Sequence, residues 1–210
     1  IPVDENGLDI DYIRKHYIKK SIRCVYVCAH RHYPTTKTLS AERRLEWLKL
    51  AEDYGFAIIE DDFDYDFQYE GAAKLPMASS DGNGNVIYLG KLGQSLFPSF
   101  QTGFVVAPIN LIVEAKNYLQ MLDKQGDVIQ EQMLSELIYE GEIHRLIKKN
   151  IIKYKQRRDY LCEMLTHYFK ENVCWEKPSG GLAIWLQFNP KISLVQLADE
   201  AQKNDLFLPK

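Results

Sequence analysis

The sequence has no run near the roughly 18 consecutive apolar residues that a membrane span requires. Its opening, IPVDENGLDI, lacks the charged-then-apolar layout of a signal peptide. Cysteine is scarce: Cys24, Cys28, Cys162 and Cys174 show no CxxC spacing and are too few to scaffold 210 residues by disulfides, so a reducing cytoplasm is the expected compartment. There is no basic excess either. With 26 Lys+Arg against 29 Asp+Glu and a net charge of −3, the chain has no bulk field to attract a phosphate backbone. Neither the 12 glycines nor the 8 prolines form a repeat or a low-complexity tract, which excludes collagen-like and disordered classes. What is present, 46% apolar and 26% charged residues, suits one large domain or one and a half with a sizeable core. Apolar, extended ends, Ile1-Pro-Val and Leu206-Phe-Leu-Pro-Lys210, read as cuts through a larger polypeptide.

Periodicity predicts a short helix over 9–20, a buried strand over 24–29, and a helix from the N-cap Ser40 to Gly55 with an apolar stripe of Leu45, Trp47, Leu48 and Ala51. Further strands are expected at 56–60, 86–89 and 103–107. Strands alternating with a long helix argue for an α/β sheet with helices on its faces and ligands at the strand C-termini. Residues 111–169 read as mostly helical, interrupted at Gly126 and Gly141, and 174–187 as a strand, a Gly-rich turn and a second strand, followed by a helix over 193–204. The expected division is 1–150, part of a large domain, and 151–210, part of a smaller α+β domain.

Four constellations could carry chemistry. The acidic cluster from Glu60 to Asp66 follows a strand, where carboxylates could hold a divalent metal, pair with a cationic ring nitrogen, or be solvated; buried Ile58 and Ile59 leave Asp61 or Asp62 half-buried and in need of a partner. Cys28, His30 and His32 alternate but match no standard zinc spacing, so the cysteines are assigned to the core and the histidines to a loop. The segment from Gly90 to Pro98 carries two glycines that could approach a phosphate. Lys148, Lys149, Lys153, Lys155, Arg157 and Arg158 read as the solvated face of a long helix rather than an anion site.

Taken in order, these segments resemble the aminotransferase-like domain of MocR-type transcription regulators, a branch of the GntR superfamily with the fold of the type I pyridoxal-phosphate (PLP) aminotransferases. The loop ending His32-Tyr-Pro-Thr-Thr36 resembles the family's HQYPTG motif, and Leu39-Ser-Ala-Glu-Arg-Arg44 its MSxxRR helix start. Ile59-Glu-Asp-Asp-Phe-Asp-Tyr-Asp-Phe-Gln-Tyr69 is similar to IEDDYDSEFRY, and residues 86–104 to VIYLGTFSKTLFPGLRLGY. Gly141-Glu-Ile-His-Arg145, Tyr154-Lys-Gln-Arg-Arg158 and Gly180-Gly-Leu-Ala-Ile-Trp185 resemble its later segments. The resemblance implies a PLP type I α/β large domain with a mostly parallel sheet, part of a smaller C-terminal domain, a homodimer, and DNA contact only through a winged helix absent from these residues.

The departures fall in the implied cofactor pocket. The lysine that forms the internal aldimine is matched by Gln94, and a carboxamide, whose nitrogen lone pair is delocalised, forms no Schiff base. Gly93 stands for the preceding serine, and Gln101 for the phosphate-gripping arginine, a loss on the order of 1.5–3 kcal/mol of charged contact. Phe63 replaces the tyrosine that bonds the phenolic oxygen, and Thr36 the glycine of PTG. Asp61, the position that pairs with the pyridinium nitrogen, is kept, and Tyr33 keeps the tyrosine of HQYP. These departures imply a non-catalytic, effector-sensing or dimerisation domain with no covalent PLP and weakened non-covalent binding, whose remaining pocket lies near Asp61, His32, Tyr33 and Gln94. Two enzyme readings stand beside it: a PLP enzyme anchored at another lysine, Lys91 before Lys37 or Lys74, and a metal-dependent enzyme built on residues 60–66.

Overall fold

The computed structural model describes residues 1–72, 74–92, 102–124 and 126–208. A hairpin of β1 (Val3–Asp4) and β2 (Gly7–Leu8) leads into α1 (Ile10–His16), capped by Asp9, whose carboxylate accepts from the amides of Asp11 and Tyr12. The helix expected to reach residue 20 ends at His16 and is followed by a 3-10 turn, Ile18–Lys20. After β3 (Cys24–Val27) comes α2 (Ala41–Tyr54), with the predicted ends: Ser40 Oγ accepts from the Arg43 amide, and Gly55 closes the helix at φ 66°, a left-handed conformation that costs glycine little. Its buried face is Arg44, Trp47, Leu50 and Ala51. Leu45, assigned to that stripe from the sequence, is 60% exposed, because the stripe follows 47, 50, 51 and turns residue 45 outward.

Next come β4 (Ala57–Asp62), β5 (Val86–Leu92) and β6 (Thr102–Val106). The sheet order is β3-β4-β5-β6, with β3, β4 and β5 parallel and β6 antiparallel to β5. Residues paired across parallel strands point to the same side, so the register Val25–Ile58–Val86 and Val27–Glu60–Tyr88 defines one face, and Tyr26–Ile59–Ile87 with Asp61–Leu89 the other. The first face packs on α1 and α2 and forms the main core with Trp47, Leu50, Phe56 and Met77. β3 is therefore half-buried rather than fully buried: Val25 and Val27 point inward while Cys24 and Tyr26 are exposed.

The helical stretch resolves into α3 (Ile109–Met121), α4 (Val128–Tyr139) and α5 (Glu142–Phe169), with breaks at Gly126 and Gly141 as expected. α5 runs unbroken through residue 150 and carries the chain to a second, small sheet of β7 (Val173–Trp175) and β8 (Leu186–Phe188), backed by α6 (Leu194–Lys203) with Ser193 as its cap. Pro178–Trp185 contributes no strand of its own. Instead it docks on the segment after β4: the Gly181 amide donates to Phe67 O at 2.7 Å, and the Tyr69 hydroxyl donates to Gly181 O at 2.8 Å. No helix among the described residues is long and apolar enough to cross a membrane.

Candidate functional site

The carboxyl ends of β3 and β4 hold most of the polar chemistry. The sequence placed the acidic cluster after a strand, but Glu60, Asp61 and Asp62 are the last three residues of β4, paired with Tyr88, Leu89 and Gly90. The pleat therefore sends them to opposite faces. Glu60, with no solvent exposure, points into the core side and accepts from the amides of Met77 (2.8 Å) and Ala78 (2.9 Å), capping the 3-10 turn Met77–Ser80. Burial pushes its carboxyl above the ordinary range, against the pull of those two amides. Asp62, 3% exposed, lies 2.8 Å from His30 Nδ1 and accepts from the Tyr88 hydroxyl at 3.0 Å. His30 Nε2 in turn meets Lys74 O at 2.7 Å. His30 lies in the loop after β3, as the sequence suggested, but is buried in this frame.

Asp61 faces the other way and is half-buried. Its carboxylate accepts a hydrogen bond from the Tyr26 hydroxyl, and Cys28 Sγ lies 3.8 Å from the same hydroxyl. Tyr26, Cys28 and Asp61 thus form a short chain on the open face of the sheet. Burial, then the bond to Asp61, raises the Tyr26 phenol above its usual range, and burial raises the Cys28 thiol. Among the described residues no three His, Cys, Asp or Glu side chains are placed together to hold a metal ion.

Tyr33 and Phe63 come together elsewhere, lining a narrow cleft with His32, Thr36 and Asp64 under Gly180 and Gly181. Tyr33 is 63% exposed, and His32 Nδ1 sits 2.8 Å from Thr35 Oγ1, with burial lowering the His32 pKa. Thr36 stands at φ 60°, where a β-branched residue is strained by roughly 1–2 kcal/mol and glycine is not. Arg31, not singled out from the sequence, anchors the cleft: its guanidinium donates to Asp64 Oδ1 (3.0 Å), Asp64 O (2.6 Å) and Gln68 Oε1 (2.9 Å). A side chain at Gly180 or Gly181 would collide with Arg31 at 2.8 or 2.6 Å, so this close approach requires glycine.

Gln94 and Gln101, with Gly93, lie outside the described residues. Gly90, read as a candidate phosphate approach, has another use: the Phe104 ring covers it where a Cβ would stand, 2.2 Å from Cζ. Of the basic run, Lys148, Lys149, Lys153, Lys155 and Arg157 are exposed on α5 as expected, but Arg158 is buried, bonded to Glu70 (2.8 Å), Asp159 (2.8 Å) and Pro178 O (2.6 Å). Cys24, expected in the core, is exposed because it shares the outward parity of Tyr26.

No protein-family model matches the chain. It is 29% identical over 215 residues to an uncharacterized aminotransferase of Saccharolobus solfataricus, covering 100% of this chain and 54% of that protein. The uncharacterized HTH-type transcriptional regulator YdfD of Bacillus subtilis is 26% identical, over 99% of this chain and 43% of its own length. The crystal structure of a multiple substrate aminotransferase from Thermococcus profundus superimposes with a TM-score of 0.89 at 29% identity, covering 99% of this chain and 53% of that one. The fold is that of the PLP type I aminotransferases. The chain spans about half the length of the curated relatives it matches, and those relatives include both aminotransferases and HTH-type regulators.

The described residues can be tested against PLP, the group this fold implies. They offer one reachable carboxylate, Asp61, with one oxygen bonded by Tyr26 and the other left to accept from a ring nitrogen, and at Phe63 a phenyl ring with no hydroxyl to give. Among the described residues the carboxylate such a group would pair with is therefore present, and the phenol beside it is not.

Proposed function

We propose that the chain is a non-catalytic aminotransferase-type domain that senses a small-molecule effector and dimerises within a cytoplasmic transcriptional regulator, its DNA contacts supplied by a further domain. The observation that carries this reading is the absence of a primary amine at position 94, where Gln94 matches the family's anchoring lysine. An amide there forms no Schiff base, so neither covalent attachment nor transamination proceeds through that residue. Phe63 and Gln101 remove a hydroxyl and a guanidinium from the same matched pocket, while Asp61, Tyr33 and the scaffold motifs persist. Signalling in such a domain is a population shift between dimer arrangements, and it requires an effector with different affinities for the two.

A second reading keeps PLP chemistry on another lysine. It is favoured by the position of Lys91 on β5, two residues past Leu89 and so on the sheet face of Asp61, and by the aminotransferases among the relatives. Titrating the protein with PLP while following absorbance and melting temperature separates the two. The first reading expects no aldimine band; an aldimine band with a large melting shift supports the second.

A further inference from the structure

We propose that the groove between the start of α2 and residues 74–80 binds a small carboxylic acid with an apolar body. The groove is lined neither by Asp61 nor by any residue of the cleft under Gly180 and Gly181, so it stands apart from the matched cofactor pocket and from the choice between the two functional readings. Its volume of about 450 Å³ lies within the range of small-molecule sites. Leu39, Leu45, Leu75, Pro76 and Met77 supply most of its wall, and Arg44 and Lys74 are the charged residues in it. Leu45 and Leu75 are 60% and 68% exposed, apolar surface that a ligand with an apolar body would take from water.

The groove is preformed, because buried ionisable side chains hold its rim by the backbone. Arg44 donates to Leu75 O at 2.6 Å, His30 Nε2 lies 2.7 Å from Lys74 O, and Glu60 accepts from the amides of Met77 and Ala78. Arg44 also donates to Leu39 O (3.2 Å) and Ala29 O (3.1 Å), so three of the five N–H groups of its guanidinium are used, all on neutral carbonyls. The two carboxylates that act on its charge, Glu60 and Asp62, are bonded instead by the Met77 and Ala78 amides and the Tyr88 hydroxyl. Arg44 is thus a buried cation with two N–H groups to spare beside an apolar groove. Lys74 adds a second, exposed cation, and Ala41 brings the amino end of α2 with its partial positive charge. A lining with two cations, no carboxylate and six apolar residues is complementary to one negative charge on an apolar body. Inorganic phosphate would leave the leucines wet, and a neutral apolar molecule would leave both cations unmatched.

The test titrates the chain by calorimetry with 4-phenylbutanoate and with 4-phenylbutan-1-ol, which keeps the apolar body and removes the charge. The proposal expects one carboxylate bound per chain, at least about tenfold more tightly than the alcohol, a difference of ~1.4 kcal/mol. Lys74→Gln should weaken the carboxylate at least about threefold and leave the alcohol unchanged. Leu45→Asp, which sets a negative charge in the groove wall, should weaken the carboxylate at least about tenfold. Both side chains are exposed, so the melting temperatures of these variants should stay close to that of wild type. No saturable binding of the carboxylate overturns the proposal, and so does equal affinity for the two probes. Tighter binding of the carboxylate that neither substitution changes places the site elsewhere and also overturns it. A Leu45→Asp variant that binds the carboxylate like wild type but loses self-association would assign the groove to a second copy of the chain instead. Should Leu45→Asp fail to fold, Leu75→Asp is read in its place. None of these outcomes depends on a lysine adduct with PLP, which bears on the functional reading and is detected separately by mass.

Discussion

Glu60 and Asp62 on one side of β4 and Asp61 on the other are three consecutive carboxylates with two unlike environments. The pair on the core face is held by groups of the fold and closed to solvent, Glu60 through both oxygens and Asp62 through Oδ2, whereas Asp61 holds one exposed phenol and faces outward. The difference teaches that an acidic run on a strand is divided by the pleat before any ligand is considered. Density of charge in sequence then says little about density of charge in space. It also separates the parts of the protein that keep the fold from the part free to change its ligand.

The comparison breaks most directly at Glu60. Glu60→Ala orphans the buried amide of Met77 and the half-buried amide of Ala78 and opens a void, and is expected to cost about 3 kcal/mol in urea denaturation. A loss under about 1 kcal/mol would mean that the core face is not a frame. Asp62→Ala, which strands His30 and the Tyr88 hydroxyl, should cost about 2 kcal/mol by the same measurement. At the edge of the cleft, Thr36→Gly relieves the left-handed strain and should gain up to about 1 kcal/mol, with glycine's larger unfolded-state entropy offsetting part of it.

The pH dependence follows from Glu60, Asp64 and Asp66, all three raised above the ordinary carboxylate range by burial. A raised folded value means the folded state binds more protons than the unfolded one, so stability rises as pH falls from neutral through those values. Below the ordinary carboxylate range that gain is complete, and the lowered carboxyls of Asp4 and Asp159 then protonate and take stability away. Melting temperature should therefore pass through a maximum at mildly acidic pH, and Glu60→Gln should flatten its neutral side. The smallest effect is expected at Asp61: Asp61→Asn should change stability by less than about 1 kcal/mol, since the group is half-exposed and loses one hydrogen bond.

Much of the fold was legible because local chemistry and tertiary structure agree. Ser40 and Gly55 mark the ends of α2, Gly126 and Gly141 break the helical stretch, and Ser193 caps α6. The strand expected to stop at Glu60 runs to Asp62 because β5 pairs with it there, and that pairing overrides the poor strand propensity of aspartate. The site was less legible. That Tyr26 meets Asp61 depends on the β3–β4 register, which no spacing within either strand encodes, and that His30 and Arg158 are buried depends on carboxylates and carbonyls 20 or more residues away. The Gly180–Gly181 turn was visible as a turn, but its reason, the passage of Arg31 beneath it, was not. Gln94 is the opposite case: its chemistry is plain from its side chain alone.

The most direct measurement is borohydride reduction of the wild-type protein in the presence of PLP, followed by intact mass and peptide mapping. The account predicts an unchanged mass. A reduced pyridoxyl adduct stoichiometric with the chain and mapping to one lysine, Lys91 above all, would contradict it and return the domain to the enzymes whose fold it has.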